Sequence, residues 1–198
     1  MPTSTPSNRH LQAAQQLLRR AYRLAGRKAG LFYRPGPNDV YLVSYPRSGN
    51  SWLRTAVAEM MFGESGDEYT EIHRYVPTVD MPIPFWRVKA APFHAVKSHE
   101  NYLSSGRTRG YRRVIYIVRD PRDVVTSHYR FEHQLGNHPE DFDSFLNEWT
   151  CGRVWPGSWA THVASWTLDR DPQARDDILV LSYEDMHART LESFRRVA

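Results

Sequence analysis

The chain has 198 residues, of which 40% are hydrophobic and 24% charged, values ordinary for one globular domain. No stretch approaches the roughly 18 apolar residues of a membrane-spanning helix, and no signal-peptide pattern opens the chain, so we expect a cytoplasmic protein. The single cysteine, Cys151, excludes an intramolecular disulfide and is interpreted as a structural or surface thiol. A net charge of +4 favours an anionic ligand but is too small to indicate nucleic-acid binding.

The N-terminal region, residues 1–36, is predicted to be a tail followed by a basic helix. Met1–Ser7 are rich in Pro, Ser and Thr and are predicted to be disordered. Asn8–Lys28 repeats apolar residues every three or four positions beside a basic face, which indicates an amphipathic helix. Peripheral contact with a membrane surface or a partner helix is one interpretation, and packing on the domain is the simpler one. Residues 37–198 are predicted to form one α/β domain.

The first motif reads as a strand, a tight loop and a helix. Val40–Val43 are apolar, which suits a strand buried on both faces of a parallel sheet. A polar loop around Gly49 follows, and Ser51–Phe62 are predicted to be helical. Backbone N–H groups at the helix start, with Arg47 beside them, predict a phosphate site. Three polar residues are candidates to cap this helix: Ser48, Asn50 and Ser51.

A Walker-type triphosphate loop is excluded by the residues around Gly49. That loop requires a second glycine five positions earlier and Lys-Ser/Thr directly after it. Here Asn50 and Ser51 follow Gly49, and the earlier glycine is absent. The loop is therefore predicted to hold one phosphate without the lysine that reaches a γ-phosphate, which makes a triphosphate-using kinase an unfavoured alternative.

The second motif ends in Lys97 and His99. The segment before it, Asp67–Pro92, is rich in proline and aromatic residues, and two interpretations stay open: a wall of an acceptor pocket or an irregular cap. Phe93–His99 reads as a short strand that delivers both polar side chains at its carboxyl end, where open α/β sheets bind ligands. Histidine can take a proton from a hydroxyl near neutral pH. A purely structural Lys-x-His is the alternative.

The third motif, residues 114–131, is again an apolar strand, a charged turn and a helix. Arg119 can donate two parallel hydrogen bonds to the oxygens of a phosphate. Ser127, two helical turns further along, is a second candidate to bind the same phosphate. Asp120 after a strand is also compatible with a Walker-B magnesium ligand. A helix-initiating Asp120-Pro121 turn is the better account, since the Walker lysine is missing.

The last predicted elements complete an α/β pattern. Residues 156–166 are predicted to include a helix with one apolar face, in which His162 is either a second catalytic group or, as we favour, a packed histidine. Residues 178–186 read as a further buried strand and turn. Strands alternating with helices predict a single-domain α/β fold with a central parallel sheet flanked by helices.

These motifs together resemble the cytosolic-type sulfotransferases, which use 3′-phosphoadenosine 5′-phosphosulfate (PAPS). Residues 45–52 resemble the phosphosulfate loop Tyr-Pro-Lys-Ser-Gly-Thr-Thr-Trp, and residues 97–99 resemble Lys-Thr-His. Residues 119–131 resemble the 3′-phosphate signature Arg-Asn-Pro-Lys-Asp-Val-x-x-Ser-x-Tyr-x-Phe. Residues 156–166 and 183–186 resemble two further family segments.

The resemblance implies a role for each matching residue. His99 would be the catalytic base, and Arg47 and Lys97 would stabilise charge on the transferring group. Arg119 and Ser127 would hold the 3′-phosphate, while Trp52 and Tyr183 would contact the adenine. The residues implied to bind the 5′ end of PAPS are Arg47, Ser48, Gly49, Asn50, Ser51 and Trp52. No metal is implied.

The hypothesis is sulfuryl transfer from PAPS to a hydroxyl or amine of a small-molecule acceptor. Two departures weaken the match: Arg47 replaces the family's lysine, and Ala198 precedes the Arg-Lys-Gly region, so the resemblance implies a C-terminally short family domain. The alternative is a non-catalytic nucleotide- or partner-binding protein on the same fold. Retention of His99 argues against that alternative.

Overall fold

The computed structural model describes residues 30–63, 71–79, 81, 83–102, 108–137, 141–169 and 178–198. The predicted N-terminal tail and basic helix lie outside this part of the chain. Within it, no helix is both long enough and apolar enough to cross a membrane.

A parallel sheet forms the centre of the fold, as predicted. Its strands lie side by side in the order β2-β1-β3-β4. Their bounds are β1 Val40–Ser44, β2 Ala95–Ser98, β3 Arg113–Val118 and β4 Ile178–Ser182. The chain runs from β1 to β2 on one side and then crosses to β3 on the other side of β1. The carboxyl ends of β1 and β3 therefore flank the point where such sheets bind ligands.

Helices flank the sheet, and the longest of them follow β1 and β3. The helices are α1 Asn50–Phe62, α2 Ile72–Tyr75, α3 Pro121–Gln134, α4 Phe142–Thr150, α5 Trp159–Thr167, α6 Tyr183–Ala188 and α7 Thr190–Arg195. Short 3-10 turns cover Phe85–Arg87 and Thr108–Gly110. The described residues of the Asp67–Pro92 segment are irregular apart from these two short helices, Ile72–Tyr75 and Phe85–Arg87, consistent with the prolines of the segment.

Both faces of the sheet are largely buried at β1 and β3, which explains their nearly continuous apolar sequences. The edge strand β4 is less buried than predicted, because Val180 is 38% exposed. Leu42, Ile115 and Leu181 pack on the face covered by α1. Tyr41, Val43 and Tyr116 point to the other face, where they meet Trp166 of α5. A third cluster joins the start of α3 to α4 through Val124, Phe145 and Trp149.

The helix starts differ in how they are capped. Asp120 accepts a hydrogen bond from the Arg122 backbone N–H at 2.9 Å, so the predicted helix-initiating turn is confirmed. Asp141 caps α4 in the same way. The side-chain caps predicted for α1 are wrong, because the residue before it is Gly49 and no side chain bonds its first turn.

Candidate functional site

The loop after β1 brings backbone donors and a buried hydroxyl to one place. Gly49 adopts the left-handed conformation with φ 97°, and the first turn of α1 carries no side-chain cap. Its N–H groups therefore remain available to an anion. The Ser48 hydroxyl is buried and has no hydrogen-bond partner among the described residues. A buried polar atom without a partner is costly, so this loop fits a bound polar ligand.

Asn50 differs from the other residues of the loop. Its side-chain amide points inward and donates to the Leu42 carbonyl at 3.1 Å and to the Ser44 hydroxyl at 3.2 Å. The Asn50 side chain therefore ties the loop to β1. What this residue can offer a ligand at the helix start is its backbone N–H.

Arg47 links this loop to α3. Its Nε donates to the Ser127 hydroxyl at 3.1 Å, and its guanidinium lies 4.7 Å from the Phe131 ring centre. Arg47 is also the one non-glycine residue with a positive φ among the described positions, at 68°. The fold thus turns Arg47 toward the residues predicted to hold the second phosphate.

Arg119 completes the same cluster from the end of β3. Its Nη1 donates to the Arg47 carbonyl at 3.1 Å, and its guanidinium lies 4.2 Å from the centre of the Tyr183 ring. Asp123 lies 3.8 Å from its Nη2. Arg47 of the first motif therefore lies beside Arg119 and Ser127 of the third motif.

These residues line a cavity of about 380 Å³ with a cationic wall. Its lining is Arg47, Arg119, Asp123, Thr126, Ser127, Arg130, Phe131 and Gln134. Three guanidinium groups against one carboxylate make the cavity suited to a phosphate. Arg130 was missed by the sequence analysis, although its position three residues after Ser127 places both on one helix face.

Trp52 and Tyr183 lie on the other side of the loop. The Trp52 ring makes edge contacts with the rings of Tyr183, His187 and Phe194, with centres 5.7 to 6.4 Å apart. Trp52 is partly buried against the core. Ser51, by contrast, is exposed beside it. The predicted adenine contacts of Trp52 and Tyr183 remain predictions.

His99 lies directly after β2 and is buried. Its Nδ1 is 2.7 Å from the Ser44 carbonyl, and because a carbonyl only accepts, Nδ1 carries the hydrogen. Nε2 is then the nitrogen with a free lone pair. Burial lowers the pKa of His99 well below its ordinary value, and the charge of Lys97 lowers it further. The ring is therefore neutral, with an unprotonated Nε2.

His162 contacts the main chain of His99, on the side away from solvent. It is fully buried in α5, with its Nε2 3.3 Å from the His99 carbonyl and its Nδ1 2.9 Å from the Tyr116 hydroxyl. Burial lowers its pKa to about 4. This contact agrees with the packed, hydrogen-bonding interpretation.

A second cavity of about 530 Å³ lies beside Tyr41 of β1 and the Tyr111 ring that stacks on it, toward the amino ends of β1 and β3. Pro77 and Val79 bond the main chain of Lys97 and run along β2 beside this cavity. The Tyr111 hydroxyl donates to the Glu100 carboxylate at 2.9 Å, next to His99. Part of the proline-rich segment therefore walls a pocket, and its described lining is Phe32, Tyr33, Arg34, Pro35, Gly36, Pro37, Tyr41, Thr78, Val79, Met81, Gly110, Tyr111 and Arg112.

The described residues form a parallel sheet with an uncapped helix start and a cationic cavity at its carboxyl edge, an arrangement suited to phosphorylated ligands. Residues 37–198 match the sulfotransferase domain family, and the chain belongs to that family. It is 32% identical over 160 residues to human sulfotransferase 4A1, covering 76% of this chain and 55% of the relative. To mouse sulfotransferase 1 family member D1 it is 30% identical over 164 residues, covering 76% and 54%. The chain thus spans about half the length of the curated relatives it matches.

Solved structures give the same assignment. The crystal structure of mouse sulfotransferase SULT7A1 complexed with PAP superposes with a TM-score of 0.62 at 25% identity, covering 83% of this chain and 58% of that one. Retinol dehydratase in complex with androsterone and inactive cofactor PAP has a TM-score of 0.63 at 19% identity, covering 85% and 60%. The latter likeness concerns the fold alone.

Proposed function

We propose that this protein transfers the sulfuryl group of PAPS to a hydroxyl or amine of a small-molecule acceptor. The observation that carries the proposal is the buried His99, whose Nδ1 is fixed on the Ser44 carbonyl, directly before the anion-binding loop. A protein that only bound a nucleotide would not require a neutral histidine oriented in this way. Membership of the sulfotransferase domain family supports the same reaction.

The binding of PAPS is supported by the two anion sites. The α1 backbone N–H groups and the Ser48 hydroxyl would hold the 5′ end. The cationic cavity would hold the 3′-phosphate through Arg119 and Ser127, with Arg130 as an additional cation. The PAP-bound mouse sulfotransferase is an independent argument for this ligand.

The proposed reaction forms a bond from the acceptor oxygen or nitrogen to sulfur and breaks the bond from sulfur to the phosphate oxygen. His99 Nε2 takes the acceptor's proton, and adenosine 3′,5′-bisphosphate leaves. The family resemblance assigns Arg47 and Lys97 to the negative charge that moves onto the departing phosphate. For Arg47 this role requires its guanidinium to leave the hydrogen bond to Ser127 in the cationic cavity. Since an arginine does not give up its proton, Arg47 would act by charge and not as an acid.

The acceptor is proposed to be a molecule with an apolar or aromatic ring. The 530 Å³ cavity supports this, because Tyr33, Tyr41, Tyr111 and Met81 contribute to its wall. Residues 35–37 and 110–112 of its lining precede β1 and β3, so the cavity lies toward the amino edge of the sheet, and an acceptor bound there would have to extend along β2 to reach His99.

Calorimetric titration with adenosine 3′,5′-bisphosphate tests the nucleotide site, with ATP and AMP as controls. Preferential binding of the bisphosphate is expected. Transfer from labelled PAPS to a panel of phenols, alcohols and amines then tests the reaction. Bisphosphate binding without transfer to any acceptor would favour the non-catalytic alternative, and equal binding of ATP would reject the proposed ligand.

A variant separates catalysis from binding. His99→Asn retains an amide that can donate to the Ser44 carbonyl but has no second ring nitrogen. Transfer should fall by about 100-fold or more, the usual size of a general-base contribution, with bisphosphate affinity unchanged. His133→Asn, on the exposed last turn of α3, is the matched control. Loss of bisphosphate binding in His99→Asn would assign His99 to structure.

A further inference from the structure

We propose that His162 is a positioning residue for His99. One nitrogen of the His162 ring holds the main-chain carbonyl of His99, and the other is held by the Tyr116 hydroxyl. The expected effect on kcat rests on the proposed sulfuryl transfer, whereas the expected effect on the orientation of the His99 ring does not. Sequence alone offered His162 only as a second catalytic group or a packed side chain.

The hydrogen-bond pattern fixes which nitrogen of His162 carries the hydrogen. The Nε2 atom is 3.3 Å from the His99 carbonyl oxygen, which can only accept. Nε2 is therefore the donor. In the neutral ring, Nδ1 is then an acceptor, and the Tyr116 hydroxyl at 2.9 Å must donate to it. The two bonds form one directed chain from Tyr116 through His162 to His99.

Burial keeps this chain in place. His162 and Tyr116 both have 0% of their surface exposed, and their rings stack at 5.8 Å with an angle of 26° between planes. A charged imidazole is disfavoured in such surroundings, so His162 stays neutral above its lowered pKa of about 4.

His99 is consequently held at two points that belong to different elements. β1 holds its ring through the Ser44 carbonyl at 2.7 Å, and α5 holds its main chain through His162. A ring held by a single hydrogen bond can still rotate with its backbone, but two fixed points determine the direction of Nε2. Since misplacement of a reacting group by about 1 Å can cost about 100-fold in rate, this second anchor matters for catalysis.

Two substitutions at His162 test the donor without changing polarity. In His162→Gln, the terminal amide reaches the position of Nε2 and can donate to the His99 carbonyl. In His162→Asn, the shorter amide reaches only the position of Nδ1. We expect His162→Gln to retain kcat within a few-fold and His162→Asn to lose about 100-fold in kcat with KM for PAPS unchanged.

A spectroscopic measurement tests the same anchor without any turnover. Nitrogen-15 NMR of the histidine rings reports which ring nitrogen carries the hydrogen. In the wild-type protein we expect His99 with its hydrogen on Nδ1 and His162 with its hydrogen on Nε2. His162→Asn should move His99 toward a mixture of tautomers, and His162→Gln should not. Tyr116→Phe removes the donor to Nδ1 and should move the His162 signals first.

The outcomes are decisive in each case. If His162→Asn leaves the His99 tautomer and kcat unchanged, the proposal is overturned and His162 is packing alone. If the wild-type protein binds the bisphosphate but transfers nothing, the proposed function fails while the NMR comparison still decides the anchor. If His162→Asn does not fold, Tyr116→Phe carries the test, because it removes the hydrogen bond that holds His162 from its other side. Unchanged His99 ring signals and an unchanged kcat in that variant overturn the proposal.

Discussion

The ring of Tyr183 lies directly against the α-carbon of Gly49. A Cβ built on Gly49 would come 2.5 Å from the Cδ2 atom of Tyr183, closer than real side chains approach. The same ring lies under the Arg119 guanidinium. Tyr183, the first residue of α6, therefore packs against the anion-binding loop and also supports an arginine of the cationic cavity. The contact joins positions that are far apart in the chain.

Gly49→Ala is expected to lower the free energy of unfolding by about 3 kcal/mol, because it adds backbone strain and a clash. Gly63 is the matched control, since it also has a positive φ, of 66°, but nothing lies within 4 Å of its added Cβ. Gly63→Ala should cost only about 1 kcal/mol. Urea unfolding measures both. Equal losses in the two variants would show that the Tyr183 contact is not restrictive.

Arg130→Ala is expected to weaken binding of adenosine 3′,5′-bisphosphate by about tenfold, the size of one charge-assisted hydrogen bond. AMP, which lacks the 3′-phosphate, should bind equally to both proteins. Arg122→Ala on the same helix is the control, because Arg122 is 88% exposed and paired with Asp120. Calorimetry distinguishes the two variants, and equal losses of affinity would mean that net charge alone, not the cavity, attracts the ligand.

Binding of adenosine 3′,5′-bisphosphate is expected to raise the pKa of His99. In the ligand-free protein, burial and the charge of Lys97 hold that pKa well below its ordinary value. Phosphates nearby add negative charge, which favours the protonated imidazole. NMR titration of the His99 ring with and without the ligand measures the change. Adenosine serves as the uncharged control, and a bisphosphate-induced decrease would place the phosphates away from His99.

Stability is expected to fall as the pH is lowered from about 6.5 to 4. His162 has a folded-state pKa of about 4, below its ordinary value of 6.5, so the unfolded chain binds more protons in this interval. The difference corresponds to on the order of 3 kcal/mol, fully present above pH 6.5 and lost toward pH 4. His73, with a pKa of about 4, acts in the same direction, and His94, with a raised pKa, acts against it.

The His162→Gln variant isolates this contribution, since glutamine does not titrate. Urea unfolding of both proteins at pH 7 and pH 5 should give a smaller difference for the variant. The same pH dependence in both proteins would show that His162 is not the group responsible.

Much of the fold was predictable because its signals are local. Continuous apolar runs predicted buried parallel strands, and β1 and β3 lie where those runs lie. Asp120 before Pro121 predicted a capped helix start, which α3 has. The caps predicted for α1 failed because Asn50 folds back onto β1, and short-range propensity does not indicate which of several partners a polar side chain takes.

The candidate site was predictable only as separate stretches. The sequence identified Arg47, His99, Arg119 and Ser127 as polar residues at the ends of strands or early in helices, and the parallel sheet explains why such ends meet at one edge. Arg130 was missed because nothing in its local pattern distinguishes it from a solvated helix residue. Its role emerges only from a cavity shared with residues of other elements.

The sequence by itself determined the order of strands and helices, the loop that favours an anion, and the residue types available for proton transfer, because each depends on neighbours within a few positions. The tertiary structure decided which groups meet: Arg47 with Ser127, Gly49 with Tyr183, and the His99 carbonyl with His162. Those contacts span roughly 60 to 135 positions, where the packing of the sheet and helices, and not local preference, sets the distance between two atoms.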